Sequence, residues 1–131
     1  MIRILRNKNF LVLWFGLLLG GSGQEAYNLL PKHFELAGFA PETVGFVMSA
    51  TGIGGMIILI LSPLFIDRFR KRTILTGVLI AHLAVPLLYF IPFSPNTLYF
   101  LPRLLQGAQI TLMMTTFTAL LSFVVAPERR G

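Results

Sequence analysis

The sequence predicts an all-α membrane protein with four transmembrane helices. Of its 131 residues, 55% are hydrophobic and only 12% are charged, about half the ~25% charge content of a typical soluble domain. The mean hydropathy is +0.77. The apolar residues also gather into four long stretches, each able to cross the ~30 Å hydrocarbon layer as a helix. The strict alternation of lipid-facing and lumen-facing residues that marks barrel strands is missing, which leaves helix as the spanning structure. So few charges among so many apolar residues exclude a disordered chain. The lack of cysteine excludes a disulfide scaffold and a thiolate zinc site.

The spans are expected at about residues 10–30, 44–66, 74–91 and 98–125, with no separate soluble domain. The first, from Phe10 to Leu30, meets no charge before Glu25. The second and third, Val44 to Ile66 and Ile74 to Ile91, carry none. The fourth, Leu98 to Val125, carries Arg103 alone. Pro31 and Pro41 bracket the first connection, with Gly38 between them. The second connection is Asp67-Arg68-Phe69-Arg70-Lys71-Arg72, and the third is Pro92-Phe93-Ser94-Pro95-Asn96. Pro86 falls inside the third span and predicts a kink there.

Lys and Arg set the orientation. Arg3, Arg6, Lys8, Arg68, Arg70, Lys71, Arg72, Arg129 and Arg130 fall on one side of the membrane, against Lys32 on the other. The positive-inside rule then predicts cytoplasmic N- and C-termini. Tyr27, Tyr89, Phe90, Phe93, Tyr99 and Phe100 gather at the outer interface as an aromatic belt, with Trp14 and Phe15 nearer the inner one. The net charge of +6 flanks apolar spans on one face, so lipid headgroups are its natural counterpart and nucleic acid is not. The basic start followed by Phe10 to Leu19 also fits a signal peptide ending near Gly21-Ser22-Gly23. The lack of any soluble mature domain speaks against that reading.

Polar residues inside a span face protein, a cavity or an interface. In the first span Gly21, Ser22, Glu25 and Asn28 follow three- and four-residue steps and so form one stripe. Glu25 lies six residues before Pro31, ~9 Å below the outer boundary at 1.5 Å per residue. In the fourth span Arg103, Gln106 and Gln109 are followed by Thr111, Thr115, Thr116 and Thr118. Arg103 lies at about the depth of Glu25, ~8 Å, which suggests that the two charges pair across neighbouring helices. Ser22, Glu25, Asn28, Arg103, Gln106 and Gln109 are therefore the candidate lining of a substrate and proton cavity. Gly20, Gly21, Gly52, Gly55 and Gly107 are candidates for close helix packing, because small residues let backbones approach. His33 reads as a loop residue, and His82 as a side chain hydrogen-bonded to a neighbouring helix. No metal-ligand cluster, catalytic triad or phosphate-cradling loop is present, so neither an enzyme nor a cofactor is expected.

Several motifs carry a family resemblance. Pro63-Leu64-Phe65-Ile66-Asp67-Arg68-Phe69-Arg70-Lys71-Arg72 resembles the G-x-x-x-D-R-x-G-R-R signature between helices two and three of major facilitator superfamily transporters. Asp67, Arg68 and Arg72 match and Lys71 keeps the charge, while Pro63 and Arg70 stand where the family has glycine. Arg103 and Gly107, with Gln106, resemble the family's R-x-x-x-G signature in helix four. Leu5 to Phe10 and Ala126 to Gly131 resemble its usual start and the connection after helix four.

The resemblance implies four helices of the N-terminal six-helix half of a twelve-helix transporter working by alternating access. It implies a cytoplasmic gate at Asp67, Arg68, Lys71 and Arg72, and a link to proton coupling for Arg103. A small solute, protons, the lipid bilayer and the remaining transporter helices are the expected partners. A bacterial plasma (inner) membrane is the expected site, and export is the preferred direction. On this reading the chain is truncated and inactive alone. The alternative is a small autonomous four-helix membrane protein, either an assembly or regulatory factor or a compact dimeric exporter.

Overall fold

A computed structural model describes residues 8–93 and 95–125. Every regular element among them is helical. The region expected as the first span, and called so below, is α1 (Lys8–Glu25), a 3-10 turn (Ala26–Leu29) and α2 (Leu30–Leu36). The second is α3 (Pro41–Arg68). The third is α4 (Lys71–Ala84) with a 3-10 segment (Val85–Phe90). The fourth is a 3-10 turn (Asn96–Tyr99) leading into α5 (Phe100–Val125). Among the described residues, three helices are long and apolar enough to cross a membrane: Pro41–Leu64, Lys71–Phe90 and Asn96–Ser122. α1 is not among them, because its 18 residues begin with Lys8-Asn9 and end with Gln24-Glu25, which dilutes the apolar run between.

The connections are shorter than the prolines and charges suggest. Pro31 does not end the first span. It occupies the first turn of α2, where its missing N–H leaves no helical hydrogen bond unmade. The chain turns instead at Gly38, whose φ of +85° suits a residue without Cβ. Phe39 N–H donates to Phe34 O and Gly38 N–H to Glu35 O, both at 3.0 Å. The Phe34 and Phe39 rings meet at 5.0 Å. This is the Schellman arrangement, which satisfies the last carbonyls of a helix and seals them with a hydrophobic contact.

The second connection shrinks to Phe69 and Arg70, because α3 runs on through Arg68 and α4 begins at Lys71. Arg70 caps α4 with φ −61° and ψ 125°, an extended conformation open to any residue. Glycine is therefore not required at that signature position. Pro63 sits inside α3 and removes the N–H that would reach the Leu59 carbonyl. The Ser62 hydroxyl donates to that carbonyl instead, at 3.2 Å, so the helix continues. Pro86 marks a change of winding in the third span, from α to 3-10 at Val85.

The tightest packing joins the second and fourth spans. A Cβ on Gly107 would collide with the Thr51 backbone, and one on Gly54 with the Leu104 backbone. One on Gly55 would lie 2.9 Å from Thr111 Oγ1. A Cβ on Gly20 of the first span would lie 3.4 Å from the Met113 sulfur, an ordinary van der Waals contact. Gly21 and Gly52 have nothing within 4 Å of the place a Cβ would take, so neither marks a close helix contact. One end of the bundle is closed by Phe34, Val44 and Val47, with Phe39, Tyr89 and Tyr99 packed against them. Aromatic residues expected as a lipid-facing belt are thus partly turned inward. Phe93 meets Tyr99 at 5.2 Å and Phe34 meets Tyr99 at 5.3 Å, whereas Phe90 stays 84% exposed.

Candidate functional site

The fourth span turns a polar edge into the bundle. Arg103, Gln106, Gln109 and Thr116 are all buried, as are Met113 and Phe117 on the same edge. Steps of three and four residues put these side chains on one face of a helix. That face meets the first and third spans, while Leu104, Gly107, Ala108 and Thr111 meet the second.

The polar groups form two connected sets. In the upper set, nearer the Phe34 end, Arg103 Nη1 donates to Gln106 Oε1 at 2.5 Å. The Tyr89 hydroxyl donates to the same oxygen at 3.1 Å. The Tyr27 and Tyr89 rings lie 5.9 Å apart, which brings the first, third and fourth spans together around Arg103. In the lower set, Gln109 Nε2 donates to His82 Nδ1 at 2.5 Å, so His82 does bond to a neighbouring helix. The other ring nitrogen, Nε2, lies 3.1 Å from the place a Cβ on Gly23 would occupy. A side chain at that position would crowd the imidazole unless the ring gave way by a few tenths of an ångström.

Several polar atoms inside the bundle have no hydrogen-bond partner although they are buried: Arg103 Nε, Gln106 Nε2, Gln109 Oε1, the Tyr27 hydroxyl and Gln24 Oε1. Each unpaired buried group costs ~1–3 kcal/mol, more for a charged one. Water, a bound solute or a rearrangement of the helices would relieve that cost. An open groove of about 390 Å³ runs between the second, third and fourth spans. It reaches from Phe69 and Thr73 at one end to Gln109.

The predicted cavity residues are divided. Arg103, Gln106 and Gln109 share the buried edge, but Ser22, Glu25 and Asn28 are exposed on the open side of the first span. The expected pairing of Glu25 with Arg103 is not formed. Glu25 accepts from Asn28 Nδ2 at 2.6 Å, Ser22 donates to its own helix at Leu18 O, and Arg103 is held by Gln106. The reason is rotation about the helix axis. The inward stripe of the first span runs through Gly20, Gln24 and Tyr27, and Glu25 lies one residue, about 100°, past Gln24. The members that the sequence reading missed are Gln24, Tyr27, His82 and Tyr89. The seven-residue step from His82 to Tyr89 and from Gly20 to Tyr27 was their available signal.

At the opposite end, Arg68 and Arg72 are exposed and Lys71 is half-buried. Asp67 lies in the last turn of α3, but its side chain is outside what the structure describes. Arg3, Arg6, Arg129 and Arg130, used above for orientation, also lie outside the described residues. Among the described residues no group of three or more metal-ligating side chains is assembled.

No curated protein and no solved structure matches the chain. The family model for the Major Facilitator Superfamily matches it over residues 1–131. The chain therefore belongs to the Major Facilitator Superfamily, and it is an integral membrane protein of a family that moves solutes across membranes.

Proposed function

We propose that the four spans are the moving wall of an alternating-access transporter that couples a small solute to protons. The observation that supports this is the buried edge at Arg103, Gln106 and Gln109, whose unpaired atoms have no role in a static membrane bundle. A buried cation in a span is costly and marks a substrate or ion pathway. Arg103 sits in such a place, held by one neutral amide oxygen. The exposed stripe of Ser22, Glu25 and Asn28 supplies a second polar surface on the open side of the first span. On this reading the stripe faces the central cavity, α1 also crosses the membrane, and the remaining transporter helices complete the cavity.

Asp67, with Arg68, Lys71 and Arg72, forms the gate at the cytoplasmic end, and both termini lie in the cytoplasm. A bacterial inner membrane suits this topology, and export of a drug-like or sugar-like solute remains the preferred direction. The cycle needs two packings of nearly equal energy, one open to each side. A proton or solute that satisfies the buried edge better in one packing shifts the balance towards it.

The test is solute-driven proton movement. Proteoliposomes loaded with a pH-sensitive dye are challenged with a panel of sugars and amphiphilic drugs. At least one compound is expected to collapse or generate a pH difference, and the D67N variant should slow turnover more than it weakens binding. Solute uptake that proceeds with no proton movement would remove the coupling. Weakened binding at normal turnover in D67N would remove the gate.

A further inference from the structure

We propose that His82 is a proton-binding site of this protein, with Gln109 as its switchable hydrogen-bond partner. The proposal stands on the atoms around the ring. In the arrangement described above, the Gln109 amide nitrogen donates to His82 Nδ1. A neutral imidazole carries one proton and accepts at its other nitrogen, so the proton sits on Nε2, the nitrogen that faces Gly23. Gln109 Oε1 meanwhile is buried without a partner. An imidazolium donates from both nitrogens, and its Nδ1–H then needs an acceptor where the neutral ring needed a donor. A half-turn of the Gln109 amide supplies one, because it brings Oε1 to the place of Nε2. The orphaned oxygen is therefore the group that the charged ring requires.

The step balances simply. A hydronium ion in the groove that leads from Phe69 to Gln109 gives its proton to Nδ1, one N–H bond forms, one O–H bond breaks, and water is left. No redox partner is needed. The groups facing the site are few. From the first span, Tyr27 stands four residues beyond Gly23, while Glu25, two residues beyond it, is turned outward. From the fourth, Arg103 stands six residues before Gln109. On its own span, Tyr89 is seven residues on. The charges of the second span whose side chains are described, Glu42 and Arg68, lie at its ends.

Use of this proton in a transport cycle rests on the function proposed above; proton binding itself does not. The test is nitrogen-15 NMR of the protein in lipid nanodiscs, with labelled histidine and glutamine. His33 is the other histidine, and the H82Q variant assigns the signals. At high pH the His82 ring is expected as the Nε2–H tautomer with an acceptor signature at Nδ1. On acidification both ring nitrogens should become protonated, and the Gln109 amide signal should move in step. In H82Q the amide should lose its pH response. In Q109L, which leaves the ring in place, the neutral ring should lose its single-tautomer signature. A ring that keeps one form from pH 4 to 9, or one that titrates while the Gln109 amide stays unmoved, would overturn the proposal. Proton-driven transport is read separately, so a protein that shows the linked titration without solute flux keeps this site and loses only the transport reading.

Discussion

The face of the fourth span that meets the second span carries Leu104, Gly107, Ala108 and Thr111, and there the two backbones approach as closely as side chains allow. The face that meets the first and third spans carries Arg103, Gln106 and Gln109, and there buried donors and acceptors are left over. The first seam is held by van der Waals contact between small residues, the usual cement of membrane helices. It has one good geometry, and the Thr51 hydroxyl is its buried polar atom without a partner. The second seam is filled with groups that bond well only part of the time. Its tyrosines, amides and guanidinium can exchange partners with water or a solute at little net cost. Rigidity therefore belongs to one side of a single helix and adaptability to the other. A helix that tilts as a transporter changes state would keep the first seam and remake the second.

The largest effect should come from forcing the rigid seam apart. In G107L the added side chain meets the Thr51 backbone, which has no flexible end to give way. Overpacking of this kind costs ~1–3 kcal/mol even in cores that relax, and here the obstacle is main chain on both helices. Unfolding in detergent, followed by loss of helical signal, should show G107L failing to reach the folded state at temperatures where the parent is intact. G52L is the control, since nothing lies within 4 Å of that position. A stable G107L would mean that the seam is looser than described.

Next in size is the charge at the centre of the adaptable seam. Arg103 is 6% exposed, and among the described residues no carboxylate forms a salt bridge with it. Replacing a poorly compensated buried ion by an apolar side chain of similar volume is often neutral or stabilising. R103M is therefore expected to unfold at the same or a higher temperature than the parent, and to lose about tenfold or more of its transport rate. Stability gained at the cost of activity is the signature of a functional site. A variant both inactive and clearly destabilised would make Arg103 a structural residue instead.

How the sequence met the structure follows the same division. The second, third and fourth spans could be read because their apolar runs are long and nearly uncharged. Gly55 and Gly107 could be read because small residues at helical spacing mean close approach. Depth could be read too, since residue counts convert to ångströms along an axis. Rotation could not. A helix meant for lipid is apolar on nearly every side, so it lacks the amphipathic contrast that fixes the facing of a soluble helix. Glu25 and Arg103 were matched in depth, yet the first span presents Gln24 and Tyr27 to the fourth and turns Glu25 outward. The His82–Gln109 pair was half legible. An imidazole in an apolar span had to bond to something, but the space that Gly23 leaves for it exists only in three dimensions.

A smaller effect isolates one bond of the adaptable seam. The Tyr89 hydroxyl shares Gln106 Oε1 with Arg103, so Y89F removes one donor and leaves the stronger one. A hydrogen bond of this kind is worth ~1 kcal/mol, and the ring contact with Tyr27 is kept. The unfolding free energy should fall by about that amount, with Y89F and Q106L together costing less than the sum of the two. Additive losses would show that the two side chains do not act as a unit.

The smallest structural effect belongs to Glu25, and it is the most informative about function. The carboxylate is exposed, and the hydrogen bond it accepts comes from Asn28, one turn away on the same first span. Substitutions at such places usually change stability by no more than ~0.5 kcal/mol, so E25Q should fold and unfold like the parent. Glutamine keeps the size and the hydrogen bond but cannot take up a proton. If the exposed stripe faces the transport cavity and Glu25 carries the coupled proton, solute flux in E25Q should lose its dependence on an imposed pH difference while exchange of solute for solute continues. An unchanged pH dependence would remove Glu25 as the coupling group and leave His82 and Gln109, on the other side of the same polar system, as the place where protons enter the cycle.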